Sequence, residues 1–359
     1  MKKRVVACIL AVACIASLNG CGSKFNGQDT VVEVGDEKVT ADVANFFARY
    51  QQAQFETTYS SYLGDNFWGK EVTDGKTYEE NYKDSIMDSL EEMYVLDEHK
   101  DDYKVSLSDD EEKSIEDAAK KFTDSNDSAA KDTVSGDEKT VKKVLELLTL
   151  QKKMETAMTA DVDTNVSDEE AAQRTFSYMK ISLTTYTDES GKQQTYSADE
   201  TTVVKKNADD AAQKAQSDFE DFQKDAASAE DFSVFATAVG ASATDLTFDS
   251  DTTSPNEDLI KAADKLKEGE VTDVIEADNG YYVAKVVSLL DRDATDTKKE
   301  SIVSQRKSDQ YQSICKKWKK KTDIKVHKKV WNTISFADQG VTVKSTTEDT
   351  DTSSDSSSK

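Results

Sequence analysis

Residues 280–290 read GYYVAKVVSLL, and this run of β-branched and aromatic residues has the pattern of a strong closing strand. An earlier run, RTFSYMKISLTT at residues 174–185, alternates between two faces in the period-two manner of a strand. Between the two runs, helical patterns extend to about Ala226 and recur over residues 231–238 and 257–267. The order β-α-α-α-β within about 120 residues predicts a small α+β domain.

A mostly helical domain is predicted for residues 30–165. It opens on TVVEVGDEKVT at residues 30–40, where Gly35 and Asp36 separate two short β-prone runs and predict a hairpin. Thr40 stands at an N-cap position before a helical pattern. The predicted helices cover residues 41–62, residues 77–103, a stretch opened by the capping-box sequence Ser108-Asp-Asp-Glu111, and a face carrying Val141, Val144, Leu145 and Leu148. Residues 124–137 are rich in Ser, Asp and Gly and are predicted to form a loop.

The charge of the chain inverts near its C-terminus. Residues 298–329 carry 12 basic side chains against three acidic ones, on an amphipathic helical pattern followed by a strand-like run at 324–330. Residues 292–345 are predicted to pack on the acidic N-terminal domain, and contact with anionic lipid or a cell-wall polyanion stays open as the alternative. Residues 346–359 are almost entirely Ser, Thr, Asp and Glu and predict a disordered tail.

Composition excludes several classes of function. The 359 residues carry a net charge of −25, which disfavours nucleic-acid binding. The two histidines, His99 and His327, are far apart in sequence, and no hydrolase, zinc or phosphate-loop motif is present. We therefore predict no cofactor and no metal. Cys315 lies in an amphipathic helical pattern and is interpreted as a buried filler of the core.

The N-terminus has the pattern of a secretion signal. A basic start at residues 2–4 is followed by an apolar run at 5–18, which is too short to span a bilayer. The sequence Leu18-Asn-Gly-Cys21 resembles the lipobox of bacterial lipoproteins. The resemblance implies a signal peptide at residues 1–20, lipidation of Cys21, a tether at 21–29 and a protein held on the extracytoplasmic face of the bacterial cell membrane.

Several further segments resemble the parvulin class of peptidyl-prolyl isomerases. They are AEDFSVFA at residues 229–236, Asp245-Leu246, AADKLKEGEV at 262–271 and NGYYVAKV at 279–286. VEVGDEKVT at 32–40 looks like the start of a SurA-type chaperone domain, so the whole order resembles the PrsA-like foldase lipoproteins. The resemblance implies an α+β fold: a mostly helical chaperone domain completed by the C-terminal helix, with a parvulin-like domain inserted at 166–291.

The resemblance also implies a candidate site, in which this sequence departs from active parvulins. Tyr282 stands where the second His of the family belongs, and Tyr178 or Met179 replaces the first. Leu259 falls near the Phe that usually grips the proline ring. The candidate site residues are Tyr178, Asp245, Leu259 and Tyr282. The favoured interpretation is a domain that keeps the fold and has lost the chemistry; the alternative is weak isomerase activity through the tyrosine hydroxyls.

The function predicted from these observations is a membrane-anchored foldase or chaperone that binds unfolded secreted proteins. Its partners would be unfolded or secreted polypeptides and the membrane, with no nucleic acid, and dimerisation stays open. Two alternatives belong to other classes: a non-catalytic surface binding lipoprotein with one defined ligand, and a scaffold for secretion or cell-wall machinery.

Overall fold

A computed structural model of the chain describes residues 26–64, 66–73, 75–187, 190–203, 206, 232, 233, 236, 241–337 and 341. The signal sequence, Cys21, most of the predicted helices up to residue 238 and the tail at 346–359 lie outside these residues. The described helices are α1 Ala41–Leu63, α2 Tyr78–Glu98, α3 Asp109–Ser125, α4 Ser128–Val134, α5 Glu138–Met158, α6 Asp168–Ala171, α7 Glu257–Asp264, α8 Arg292–Lys319 and α9 Lys328–Trp331. The described strands are β1 Thr30–Val34, β2 Glu37–Thr40, β3 Glu71–Thr73, β4 Lys76–Thr77, β5 Arg174–Ser182, β6 Thr185–Thr187, β7 Gln193–Thr195, β8 Ala243–Phe248, β9 Ile275–Ala277, β10 Gly280–Ser288 and β11 Ile324–Val326.

The chain divides into two compact units. The first comprises Met1–Val162 and Lys307–Lys359, and the second comprises Asp163–Arg306. Residues 292–306 of α8 therefore belong to the second unit and residues 307–319 to the first. Among the described residues, no helix is both long and apolar enough to cross a bilayer.

The first unit is built on the predicted hairpin. β1 and β2 pair antiparallel, and Gly35 has a φ of 57°, a left-handed conformation that glycine adopts without a steric cost. β11 adds a third strand beside β1, giving the sheet order β11-β1-β2. Helices α1, α2, α3 and α5 contribute most of the apolar core below it. The capping box predicted from sequence spacing occurs at Ser108 and Glu111, and a second one, which was not predicted, joins Thr77 and Glu80.

Three predicted boundaries in this unit are wrong. The predicted loop contains α4, because the Asp127 carboxylate caps the Ala130 N–H at 2.8 Å and the apolar Ala130 and Val134 are buried. The strand predicted over 324–330 ends at Val326, since a helical turn follows at once. The helix predicted to reach Tyr103 ends at Glu98 and is followed by a 3-10 helix at Lys100–Tyr103.

The second unit is an antiparallel sheet with strand order β8-β5-β10-β9. Helix α7 packs on one face of this sheet, and the whole is the predicted α+β fold. β10 pairs with β5 along its length, so the two strongest strand patterns are neighbours. The predicted order β-α-α-α-β missed β8 and β9. Both are edge strands, and β8 carries exposed Asp and Thr residues that hide the strand pattern.

Candidate functional site

Three of the four predicted site residues meet on the α7 face of the second sheet. Leu259 and Tyr282 are members of its buried cluster, and the half-buried Tyr178 packs against them. The buried members are Phe176, Phe248, Leu259, Ile260, Ala263, Tyr282, Ala284 and Val286. The face is therefore an apolar and aromatic contact between the sheet and α7, and of the three site residues only Tyr178 is partly exposed.

Tyr282 is the largest fully buried side chain of this face, with 1% of its surface exposed. Its Oη donates a hydrogen bond to Asn279 Oδ1 at 3.0 Å, and its ring centroid lies 6.5 Å from that of Tyr178. The Nζ of Lys180 lies 5.4 Å from the same ring centroid. A buried hydroxyl that already donates to Asn279 has no second proton to offer a bound peptide.

Leu259 serves the core of the domain. It is fully buried in the first turn of α7, where its N–H donates to the Asn256 side chain at 2.9 Å. Leu259 thus contributes to helix packing and is not exposed to solvent.

Asp245 does not join the other three residues. Across the strands it lies beside Ser177, and Ser177 in turn lies beside Lys285, so all three belong to the opposite face of the sheet. A cavity of about 640 Å³ opens on that opposite face and is lined in part by these residues. Leu246, the residue after Asp245, lies opposite Phe176 and packs against the α7 cluster. The period-two alternation of β8 was the signal that could have selected Leu246.

Gly280, the first residue of the Gly-Tyr pair, has a structural requirement. Its φ is 154°, and a Cβ at this position would lie 2.4 Å from the backbone oxygen of Ile181. The close pairing of β10 with β5 therefore depends on a glycine at position 280.

The ends of the sheet are tied to α8 by charged groups. Asp249, just after β8, accepts from Lys298 Nζ at 2.7 Å and from Gln173 Nε2 at 2.9 Å. Burial opposes ionisation of this carboxyl, but these hydrogen bonds outweigh it and hold the pKa of Asp249 well below its usual range. Lys299 and Arg306 pair with Asp168 and Glu170 respectively, so part of the basic helix is neutralised within the second unit.

The remaining candidates from the sequence have structural partners in the first unit. His99 stacks on Trp318 at 4.1 Å between ring centroids, and its Nδ1 lies 2.8 Å from Asp102 Oδ2. His327 Nε2 lies 2.7 Å from Glu33 Oε1 on the neighbouring strand. Cys315 is buried, as predicted, and burial raises the pKa of its thiol to about 12. No group of His, Cys, Asp or Glu suited to a metal ion occurs in the part of the chain that the structure describes.

Comparison with protein families identifies the class of the second unit. Residues 183–299 match the family model of the PPIC-type PPIase domain, which confirms the predicted parvulin resemblance. The matched range includes Asp245, Leu259 and Tyr282, and Tyr178 lies just before it. No curated protein matches the chain.

Solved structures similar to this chain are PrsA foldases and SurA-like chaperones, the families that the sequence resembles. The foldase PrsA from Streptococcus pneumoniae is 20% identical, with 75% of this chain and 99% of that chain covered and a TM-score of 0.31. PrsA from Bacillus subtilis is 22% identical, with 75% and 98% covered and a TM-score of 0.21. One structure of the related SurA-like chaperones of Campylobacter jejuni is 11% identical, with 83% and 98% covered and a TM-score of 0.28. Values this low do not indicate which residues act in this chain.

Proposed function

We propose that this protein is a lipid-anchored extracytoplasmic foldase and chaperone that binds unfolded secreted polypeptides. The observation that carries the proposal is the match of residues 183–299 to the PPIC-type PPIase domain, in which a buried Tyr282 stands where the resemblance places the second His. A domain of this class without its acid–base side chains favours binding of extended chains over catalysis.

Isomerase activity is expected to be weak. The barrier to rotation about a peptide bond is about 18–20 kcal/mol, and parvulin-type catalysis would lower it by stabilising a twisted amide in an apolar pocket. Leu259 and Tyr282 fill the space on the α7 face with their own side chains, and the Tyr282 hydroxyl is engaged by Asn279. Only Tyr178 is partly accessible among the predicted site residues on this face. We therefore assign the main function to chain binding.

The first unit supports client binding through an aromatic cluster at the end of α1. Tyr59 and Tyr62 are 48% and 85% exposed, and the Tyr59 ring lies 5.0 Å from the partly buried Phe55. Phe55 in turn contacts Phe67 and Trp68, with ring centroids 5.8 and 5.3 Å away. Exposed tyrosines on a buried aromatic base provide a surface that apolar client segments can contact without sequence specificity.

The anchor and the domain division are part of the same proposal. Cleavage after residue 20 and diacylation of Cys21 would leave a tether of residues 21–29 before β1. The functional regions are then the chaperone domain at 30–165, the parvulin-like domain at 166–291, the C-terminal helix and strand at 292–345 that pack on the chaperone domain, and a tail at 346–359. Incorporation of labelled palmitate into the wild-type chain, and its absence from a Cys21→Ser chain, tests the anchor directly.

The function is tested with the purified chain in two assays. One measures aggregation of a chemically denatured client, and the other measures cis-trans isomerisation of an Xaa-Pro peptide by protease coupling. We expect suppression of aggregation at equimolar chain, with isomerisation close to the uncatalysed rate. A Tyr59→Ser/Tyr62→Ser chain should lose part of the suppression, whereas exchange of the exposed Tyr186 for Ser is the matched control. A wild-type chain that neither protects the client nor isomerises the peptide would overturn the proposal.

A further inference from the structure

The C-terminal end of α8 and the segment after it form a lysine patch. We use this name for Lys316, Lys317, Lys320, Lys321, Lys328 and Lys329, all of which are exposed. Between residues 316 and 329 the sequence carries eight lysines and one acidic residue, Asp323. Lysines this close together repel one another, so their concentration on a chain of net charge −25 indicates that they have partners of opposite charge.

Ion pairs within the first unit account for other basic residues of this region. Lys319 is largely covered and pairs with Glu91 at 2.9 Å and with Asp88, and Lys325 lies 3.7 Å from Glu33. None of the six patch lysines forms an ion pair with any residue that the structure describes. Packing against acidic helices thus uses one side of α8 and leaves the patch facing solvent.

Helix geometry explains why three of the patch lysines share one face. Successive residues turn by about 100° around a helix axis, so Lys316, Lys317 and Lys320 share the face opposite the buried Cys315. Trp318 and Lys319 lie on the packed side, where Trp318 stacks on His99. The side chains of these three lysines therefore lie away from Cys315, and all six patch lysines are exposed.

Two of the six patch lysines, Lys328 and Lys329, lie at the end of β1 into which the predicted tether leads, whereas the other four precede β11, whose first residue pairs with Val34. β11 pairs antiparallel with β1, and the His327 N–H donates to Val31 O at 2.8 Å, so Lys328 and Lys329 follow at the Thr30 end of β1. Cys21 precedes Thr30 by nine residues. Nine extended residues reach at most about 30 Å, so an anchor at Cys21 would hold this part of the first unit close to the bilayer surface.

We propose that the lysine patch binds the anionic headgroups of the membrane in which the chain is anchored. The proposal rests on the lipidation of Cys21 proposed above. The acidity of the whole chain does not oppose it, because charges more than about 8 Å away are screened at physiological ionic strength. The membrane contact would keep β1, β11 and α9 at the bilayer, as a second attachment besides the acyl chains.

The test uses the full lipidated chain on vesicles and an amine-acetylating reagent read by mass spectrometry. One vesicle preparation contains equal parts of phosphatidylglycerol and phosphatidylcholine, and the other contains phosphatidylcholine alone. Lys104, Lys121 and Lys139 are exposed lysines of the same unit and serve as internal controls. We expect acetylation of the six patch lysines to fall by roughly threefold or more on the anionic vesicles only, and to recover at about 0.5 M NaCl.

Three outcomes would overturn the proposal, and they separate it from the anchor. A chain retained on both vesicles with equal labelling of patch and control lysines contradicts the patch and leaves the anchor intact. A chain retained on neither vesicle contradicts both. Protection of the patch by soluble polyphosphate, with none on anionic vesicles, would assign the patch to a soluble or wall-bound polyanion instead of a membrane.

Discussion

The Nζ of Lys83, on α2, donates to the backbone oxygen of Trp331 at 3.2 Å and lies 5.0 Å from the centroid of the Trp331 ring. It also donates to the backbone oxygen of Ile334. The neighbouring Glu79 accepts from the N–H groups of Phe336 and Ala337 at 2.8 and 3.1 Å. Two side chains of α2 therefore bind backbone groups at and after the end of α9, in a segment about 250 residues away in sequence.

Replacement of Lys83 by Met should destabilise the first unit. Lys83 is buried, and burial lowers its pKa although the nearby Glu79 opposes that shift. Loss of the ammonium removes the donor of the Ile334 carbonyl, while the Trp331 carbonyl keeps the Ile334 N–H at 3.2 Å. We therefore expect the free energy of unfolding to fall by about 1 to 3 kcal/mol in urea titrations. Exposed Lys76→Met is the control and should change it by less than about 0.5 kcal/mol. Equal stability of the Lys83→Met chain and wild type would show that water replaces the ammonium.

Gly280→Ala should disrupt the second sheet. A Cβ would lie 2.4 Å from the Ile181 oxygen, on a backbone whose φ of 154° disfavours side chains, and we expect a loss of more than about 3 kcal/mol. Gly269→Ala separates the steric clash from the cost of the positive φ, because Gly269 also has a positive φ but has open space around it. This variant should lose about 1 to 2 kcal/mol. Thermal unfolding measures both variants, and similar costs would mean that β10 can shift away from β5.

Tyr282→Phe should affect stability and leave isomerisation unchanged. The hydroxyl is buried and donates to Asn279, so its removal should cost about 1 kcal/mol. Since the hydroxyl does not face a substrate, any residual rate in the protease-coupled assay should stay within experimental error. Tyr178→Phe is the comparison, because Tyr178 is partly exposed on the same face. A clear fall in rate for Tyr282→Phe alone would place that hydroxyl in the reaction.

The Asp249–Lys298 pair should make the second unit sensitive to acid. The pKa of Asp249 is lowered in the folded chain, so its contribution is complete above the unfolded value near 4 and is lost as the pH falls through the lower folded value. Urea titrations of wild type and Asp249→Asn should differ by about 1.5 to 3 kcal/mol at pH 7. The difference should shrink below about pH 4. A difference that is independent of pH would mean that the charge of Asp249 contributes nothing.

Much of the candidate site could be predicted from local patterns. The alternation of residues 174–185 and the β-branched run at 280–290 defined two strands, and their pairing brings Tyr178 close to Tyr282. The assignment of Asp245 to the same site was not supported, because one residue along a strand reverses the face on which a side chain lies. Whether the site is open could not be inferred either, since burial depends on what packs above a side chain.

Interactions between residues a few positions apart are enough to predict the hairpin at Gly35, the capping box at Ser108, the two central strands and the inversion of charge after residue 298. Which charges are paired depends on the folded arrangement of the chain. Lys298 meets Asp249, Lys319 meets Glu91, and β11 meets β1 across about 290 residues, while the lysine patch meets no described acidic group. Such partners are chosen by chain topology, because an ion pair or a strand pairing forms wherever packing brings two segments together, whatever their separation in sequence.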